Sequence, residues 1–167
     1  MFIRTPRLFL RPAWSEDAAV LGRTLADQEI QHKLAGSPWL EAMADPDLYL
    51  TPARDARDAR LLVFRRTESA PQLIGAAGVG RAIGRHEFGI WLTRGARKHG
   101  FALEAGRAVL NLANQGLHLW GISAAAPRSP EAERLMARLG FQLPAAGAPF
   151  AVQRTARGGS APSRLAA

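Results

Sequence analysis

Apolar positions along the chain change period several times, and the changes mark its elements. Leu8, Phe9 and Leu10 lie within an alternating stretch over residues 7–11 that Pro12 stops, which predicts a strand. Ser15 then stands as an N-cap ahead of Glu16 and Asp17, with apolar Ala18, Leu21 and Leu25 at helical spacing. Residues 28–60 predict one or two short helices, broken at Gly36-Ser37-Pro38 and at Asp45-Pro46. Leu61 to Phe64 reads as a strand, Thr67 to Pro71 as a turn and Gln72 to Val79 as the hairpin partner. After a turn over Arg81 to Arg85, Glu87 to Leu92 predicts another strand. Phe101, Ala105, Ala108, Val109 and Leu112 fall at helical spacing, with Gly116 as the C-cap. Leu119 to Ala124 predicts the next strand. Ser129 caps a further helix with Pro130 at its first position; it carries Leu135, Met136 and Leu139 and ends at Gly140. A last strand is expected over Phe150 to Gln153. The order predicts a mixed α/β (α+β) fold, largely antiparallel in its first half. Residues 1–153 form one domain on this reading, and 154–167, rich in Gly, Ala, Ser, Pro and Arg, a flexible basic tail.

One place in that pattern carries chemistry. Between the strand ending at Leu92 and the helix beginning near Phe101 the chain reads Arg94-Gly-Ala-Arg-Lys-His-Gly-Phe-Ala-Leu-Glu-Ala105. Strand, glycine-punctuated basic turn and helix N-terminus together make an anion site. The first N–H groups of a helix have no partner within it, and the dipole adds about half a positive charge. Gly100 allows an unusual φ/ψ and lets a phosphate approach without a Cβ in the way. An ordinary strand-to-helix turn with solvated basic residues is the plainer alternative. A second glycine cluster, Gly75, Gly78, Gly80 and Gly84, has the wrong spacing for a dinucleotide loop and no helix pattern after it. It reads as a glycine-rich hairpin turn.

Composition narrows the class. The 167 residues suffice for one core of ordinary size, and 47% hydrophobic with 22% charged residues is average for a globular chain. No apolar run approaches the roughly 20 residues a membrane span needs. Arg4, Arg7 and Arg11 interrupt the early apolar residues, so a signal peptide is not expected and a cytoplasmic location is. Cysteine is absent, which excludes disulfides, thiolate metal sites and a cysteine nucleophile. The net charge of +8 favours encounter with anionic partners. Arginine is nevertheless spread along the chain, so specific nucleic-acid binding is not expected.

Several motifs point together to one family. The turn Arg97-x-x-Gly100-x-Ala102 resembles the acetyl-CoA pyrophosphate loop of the GNAT N-acetyltransferases, Gln/Arg-x-x-Gly-x-Gly/Ala. Thr5-Pro6-Arg7-Leu8-Phe9-Leu10-Arg11-Pro12 with Asp17-Ala18 is similar to the opening of the RimJ/RimL-type branch, the branch of ribosomal-protein N-terminal acetyltransferases. Glu87-Phe88-Gly89-Ile90-Trp91-Leu92 is similar to its Glu-x-Gly-Tyr-Trp-Leu strand. Gly116-Leu117-His118-Leu119 and Leu135 to Phe141 resemble its later strand and closing helix, so the likeness covers about residues 5–141. It implies a GNAT fold: a central sheet of about six to seven strands, about four flanking helices and a splayed strand pair at the acetyl-CoA site.

The resemblance also implies roles. Acetyl-CoA and an amine would bind together, and the amine would attack the thioester directly, with no metal. The backbone of Ile90, Trp91 and Leu92 would hydrogen-bond the pantetheine arm. The N–H groups of Lys98, His99, Gly100, Phe101 and Ala102 would meet the phosphates, with charge from Arg97 and Lys98. Ser129 stands where the branch has an asparagine that assists cofactor binding, and Ala132 where it has a serine. Glu87 is the candidate base, acting through water, against the alternative of a strand-edge charge. His86 is a second candidate, but neighbours on a strand face opposite ways, so only one of the two can face a cleft. His118 reads as structural and His99 as part of the loop. The single tyrosine, Tyr49, lies far from the last helix, where many relatives place a tyrosine that protonates the leaving thiolate. Trp14, Trp39 and Tyr49 either line an acceptor pocket or belong to the core.

The acceptor would be a protein N-terminal α-amine or a small-molecule amine, with a homodimer as a possible assembly. The alternative is a catalytically degenerate acyl-CoA-binding or protein-interaction domain of the same fold.

Overall fold

The computed structural model describes residues 1–82 and 84–142 and the backbone of 152–153. Strands β1 (Ile3–Arg4), β2 (Leu8–Arg11), β3 (Ala59–Arg65), β4 (Gln72–Ala82), β5 (Arg85–Leu92), β6 (Ser123–Ala124) and β7 (Val152–Gln153) lie side by side in chain order. Every neighbouring pair is antiparallel except β5–β6, which is parallel. That pair holds through Glu87 opposite Ser123 and Phe88 opposite Ala124, while β4 stays in register with β5 to Leu92. Beyond Phe88, therefore, β5 has a strand on one side and, among the described residues, an open seam on the other.

Alternation along the strands builds two cores. Leu61 and Val63 of β3, Ala77 and Val79 of β4 and Phe88 and Leu92 of β5 face α5 (Phe101–Asn111) and the partly buried Leu135 and Met136 of α6 (Pro130–Arg138). Leu62, Phe64, Ala76 and Trp91 face the other way, into a core closed by four short helices, α1 (Ala18–Leu25), α2 (Gln28–Leu34), α3 (Pro38–Ala42) and α4 (Pro46–Leu50). Among the described residues six α-helices thus flank the sheet, where about four were expected. The reason is local. Residues 28–60 break into three helices because each has its own N-cap, Asp27, Ser37 or Asp45, and Pro38 and Pro46 fit only a first turn.

Four other expectations are corrected. Ser15 does not cap α1: residues Ser15–Asp17 form a 3-10 turn, and the Trp14 N–H donates to the Asp17 carboxylate at 2.7 Å. Arg11 clasps the same carboxylate at 2.6 and 3.0 Å and stacks between Trp14 and Phe64. Gly116 is not a C-cap; α5 runs into a π turn over Leu112–Gly116, and left-handed φ values occur at His118 (52°) and Gly121 (77°). The strand expected over Leu119 to Ala124 shortens to β6, because the Leu119 N–H turns back to the Ala113 carbonyl at 2.9 Å. Of the four clustered glycines only Gly84, with φ 79°, lies in the turn; Gly75, Gly78 and Gly80 are inside β4. A Cβ on Gly80 would sit 2.0 Å from the Trp39 ring, so Gly80 and its neighbour Gly78 make room for an indole laid on the sheet.

Phe150, at the start of the last expected strand, and the tail over 154–167 lie outside the described residues. Among the described residues, no helix is long and apolar enough to cross a membrane.

Candidate functional site

The loop leaving β5 is shaped by its backbone. A 3-10 turn over Arg94–Ala96 is followed by Lys98 at φ 65° and Gly100 at φ 78°, and α5 starts at Phe101. Left-handed φ at Lys98 and Gly100, with His99 between them, suits the alternating backbone of an anion nest. Among the described residues, no acceptor meets the N–H groups of Lys98 through Leu103; the first bond of α5 runs from the Glu104 N–H to the Gly100 carbonyl, at 3.1 Å. Ala102 is small and half-buried, and Phe101 is buried in the core beneath the loop. These residues fit a pyrophosphate: free N–H groups, a positive helix end and no Cβ at the tightest turn.

Two contacts brace the loop. Glu104, one turn into α5, accepts from the Thr5 hydroxyl at 2.6 Å, the Arg7 N–H at 3.0 Å and the Arg7 Nε at 2.7 Å. Burial works against its charge, but these hydrogen bonds outweigh it and hold the carboxyl below the ordinary value. Arg7 also donates to the His99 carbonyl at 2.9 Å and lies over the Phe101 ring, which fixes the loop to the start of β2. Arg97 was expected to supply charge to the phosphates. Instead it donates through Nε to the Leu92 carbonyl at 3.1 Å and through Nη1 to Glu29 of α2. These bonds tie β5, loop and α2 together and leave its Nη2 buried without a partner among the described residues. Lys98 and Arg94, both exposed, are loop cations without an ion pair among the described residues.

The expected strand contacts divide by face. Ile90 is half-buried on the α5 side, whereas Trp91 is buried on the other and donates from Nε1 to the Tyr49 hydroxyl at 2.8 Å. The Leu92 carbonyl is already occupied by Arg97. Ser129 accepts from the Ala132 N–H at 3.2 Å and caps α6, with Pro130 at the first position. Glu131, in that first turn, is held below the usual range first by its own backbone, and the charge of Lys98 contributes.

Glu87 is no strand-edge charge. It is 3% exposed, and it faces the α1–α4 side, opposite to Phe88. Its carboxylate accepts from the Ser37 hydroxyl, at the start of α3. Burial raises its pKa above the ordinary carboxylate value, and the Ser37 hydrogen bond and the Arg85 charge offset only part of this. A carboxyl in that state takes up a proton near neutral pH more readily than a solvated one. His86 faces the opposite side. Burial, and then the Arg57 charge, lowers its pKa, and its Nε2 is buried without a partner among the described residues. His118 is exposed in its left-handed turn, and His99 is exposed in the loop, its ring against Phe101.

The aromatic candidates separate as well. Tyr49 is 6% exposed, and burial pushes its phenol upward. It donates to the Met43 carbonyl at 2.9 Å, so both its hydrogen-bonding roles are used inside the core. Trp39 is buried against Gly78, Gly80 and Gly89, while Trp14 is half exposed and covers Arg11. Ser37, Glu29 and Arg7 were not visible as site neighbours in the sequence. Ser37 and Arg7 stood out only as a break and as part of an opening motif, and their partners lie far along the chain.

Residues 7–142 match the family model described as acetyltransferase (GNAT) domain. Solved structures agree in fold. An acetyltransferase from Agrobacterium tumefaciens superposes with a TM-score of 0.73 at 19% identity, covering 93% of this chain and 95% of that one. A spermidine N-acetyltransferase from Vibrio cholerae, solved with CoA and spermine, gives 0.63 at 20% identity, over 89% and 94%. The ribosomal-protein-S5-alanine acetyltransferase of Vibrio fischeri gives 0.62 at 15% identity, over 85% and 83%. No curated protein sequence matches significantly.

Proposed function

The chain belongs to the GNAT acetyltransferase family, and on that premise we propose that it transfers the acetyl group of acetyl-CoA directly to a primary amine, with Glu87 as the base. The observation that carries the base assignment is the buried Glu87 carboxyl on the strand that borders the open β5–β6 seam. Acetyl-CoA supplies the activated acyl group. The N–H groups of Lys98 to Ala102 would hold its pyrophosphate, and Lys98 would add charge. Free N–H groups on the seam side of Ile90 to Leu92 would receive the pantetheine arm, the strand beyond Phe88 having no partner there among the described residues.

The amine must be neutral to attack. An α-amine, with a pKa of about 8, needs roughly 2.5 units less help than a lysine near 10.4, or about 3.5 kcal/mol. The raised pKa of Glu87 brings base and α-amine closer, which improves proton transfer between them, through water. No phenol is placed to protonate the leaving thiolate, since Tyr49 is locked in the core. A thiol pKa near 8.5 lets the thiolate leave and take its proton from water. An α-amine acceptor, whether a peptide N-terminus or a small molecule, is therefore favoured over a lysine side chain.

A mass-spectrometric screen with acetyl-CoA tests this. It should include peptides with free Ser or Ala N-termini, N-blocked lysine peptides and polyamines. Acetylation of a free-amine class, lost in Glu87→Gln, is expected. No acetylated product, together with no change of melting temperature on adding acetyl-CoA, would overturn the reading.

A further inference from the structure

A buried base has to lose its proton before the next cycle, and Glu87 is 3% exposed. Among the described residues its side chain has one hydrogen-bond partner, the Ser37 hydroxyl, which is itself half-buried at the surface between α2 and α3. Ser37 Oγ already accepts from the Leu40 N–H at 3.1 Å, as the cap of α3. A hydroxyl has one proton to give and two lone pairs. The cap uses one lone pair and leaves a donor and an acceptor. The hydroxyl can therefore meet Glu87 in both protonation states, donating to the carboxylate or accepting from the carboxylic acid.

We propose that Ser37 is a positioning residue that both orients the Glu87 carboxyl and carries its proton to solvent. The inference rests on Glu87 acting as the base. After the amine proton reaches Glu87, the Glu87 O–H bond breaks as that proton joins Ser37 Oγ. The original Ser37 proton leaves to a water on the outer side. Carboxylate and hydroxyl are both restored, with the hydrogen bond reversed and one proton released. The cap bond from Leu40 persists throughout and holds Oγ in place. Other charged groups nearby are Arg85 on β5, Arg128 laid over Gly36 and Glu41, which accepts from the Gly36 N–H at 3.4 Å. Of these, none is hydrogen-bonded to Glu87, so none offers the same route.

The test compares the full chain with Ser37→Gly and Ser37→Thr. Glycine at an N-cap costs helix stability only a few tenths of a kcal/mol, so α3 is kept while the hydroxyl goes. The first readout needs no acceptor. The side-chain carboxyl 13C resonance of Glu87, assigned by its absence in Glu87→Gln, is titrated with pH. Ser37→Gly should raise the midpoint by about one unit and broaden the line as proton exchange slows, and Ser37→Thr should restore both. The second readout is turnover with the best amine of the screen. Ser37→Gly should slow it about tenfold or more, with partial rescue by imidazole buffer. An unchanged midpoint and line shape in Ser37→Gly overturns the proposal whatever the activity. A shifted titration with no amine acetylated and no change of melting temperature on adding acetyl-CoA upholds the Ser37–Glu87 coupling and instead sinks the acetyl-transfer reading.

Discussion

The Trp91 indole N–H donates to the Tyr49 hydroxyl at 2.8 Å, and that hydroxyl donates to the Met43 carbonyl at 2.9 Å. The single phenol of the chain is thereby a structural bolt between β5 and the α3–α4 layer. Tyr49→Phe leaves the buried indole N–H and carbonyl without partners, at a cost of about 1–3 kcal/mol. Urea denaturation should show that loss. The pH profile of acetyl transfer should be unchanged; a lost alkaline limb would mean that Tyr49 reaches the thiolate after all.

Glu87→Gln should change stability in a pH-dependent way. Burial raises the folded-state pKa, so the unfolded chain gives up its proton first as pH rises. Below the unfolded value near 4.3 both states are protonated and the charge has no effect. As pH climbs through and past the folded value, the ionised native carboxylate becomes a net cost. Glutamine removes that cost and can keep the bond to Ser37. Its melting temperature should match the parent near pH 4 and exceed it near pH 8. The reverse order would show that Glu87 is stabilised in its charged form.

Asp17 should behave in the opposite sense. Its carboxyl is held below the ordinary value: burial opposes this, but the hydrogen bond from Arg11 and that from the Trp14 N–H prevail. The stability it adds is present above the unfolded pKa of about 3.9 and is lost as pH falls through the lower folded value. Asp17→Asn leaves the nearly buried Arg11 guanidinium unpaired, with an expected loss of about 3–5 kcal/mol by thermal or chemical denaturation. A loss under 1 kcal/mol would show that Arg11 escapes to solvent.

Gly100→Val places a β-branched residue at φ 78°, a strain of about 1–3 kcal/mol, and crowds the nest. The melting-temperature rise produced by acetyl-CoA should disappear in this variant. Lys98→Ala should only reduce it, because the backbone remains. Equal effects of the two substitutions would shift the weight from main chain to side-chain charge.

Gly80→Ala should destabilise by at least about 1–3 kcal/mol, since its methyl group would overlap the Trp39 ring that fills the space above β4. Pairing it with Trp39→Leu should recover part of the loss. No recovery would place the strain in β4 itself.

Much of this protein was legible in its sequence, and the legible part is local. Alternation marked β2, β3 and β5; the Ser129-Pro130 pair marked the start of α6, while Gly36-Ser37-Pro38 showed only as a break; Arg97-x-x-Gly100-x-Ala102 marked the loop between strand and helix. Each depends on a few neighbouring residues, where spacing, φ preference and capping act directly. What the tertiary structure alone decided joins residues distant in the chain. Arg97 pairs with Glu29, Tyr49 is enclosed by Trp91, and Glu87 is buried against a hydroxyl 50 positions away. Whether a charged side chain is a ligand, a strut or a base depends on its desolvation and its partners, and those exist only once sheet and helices have packed.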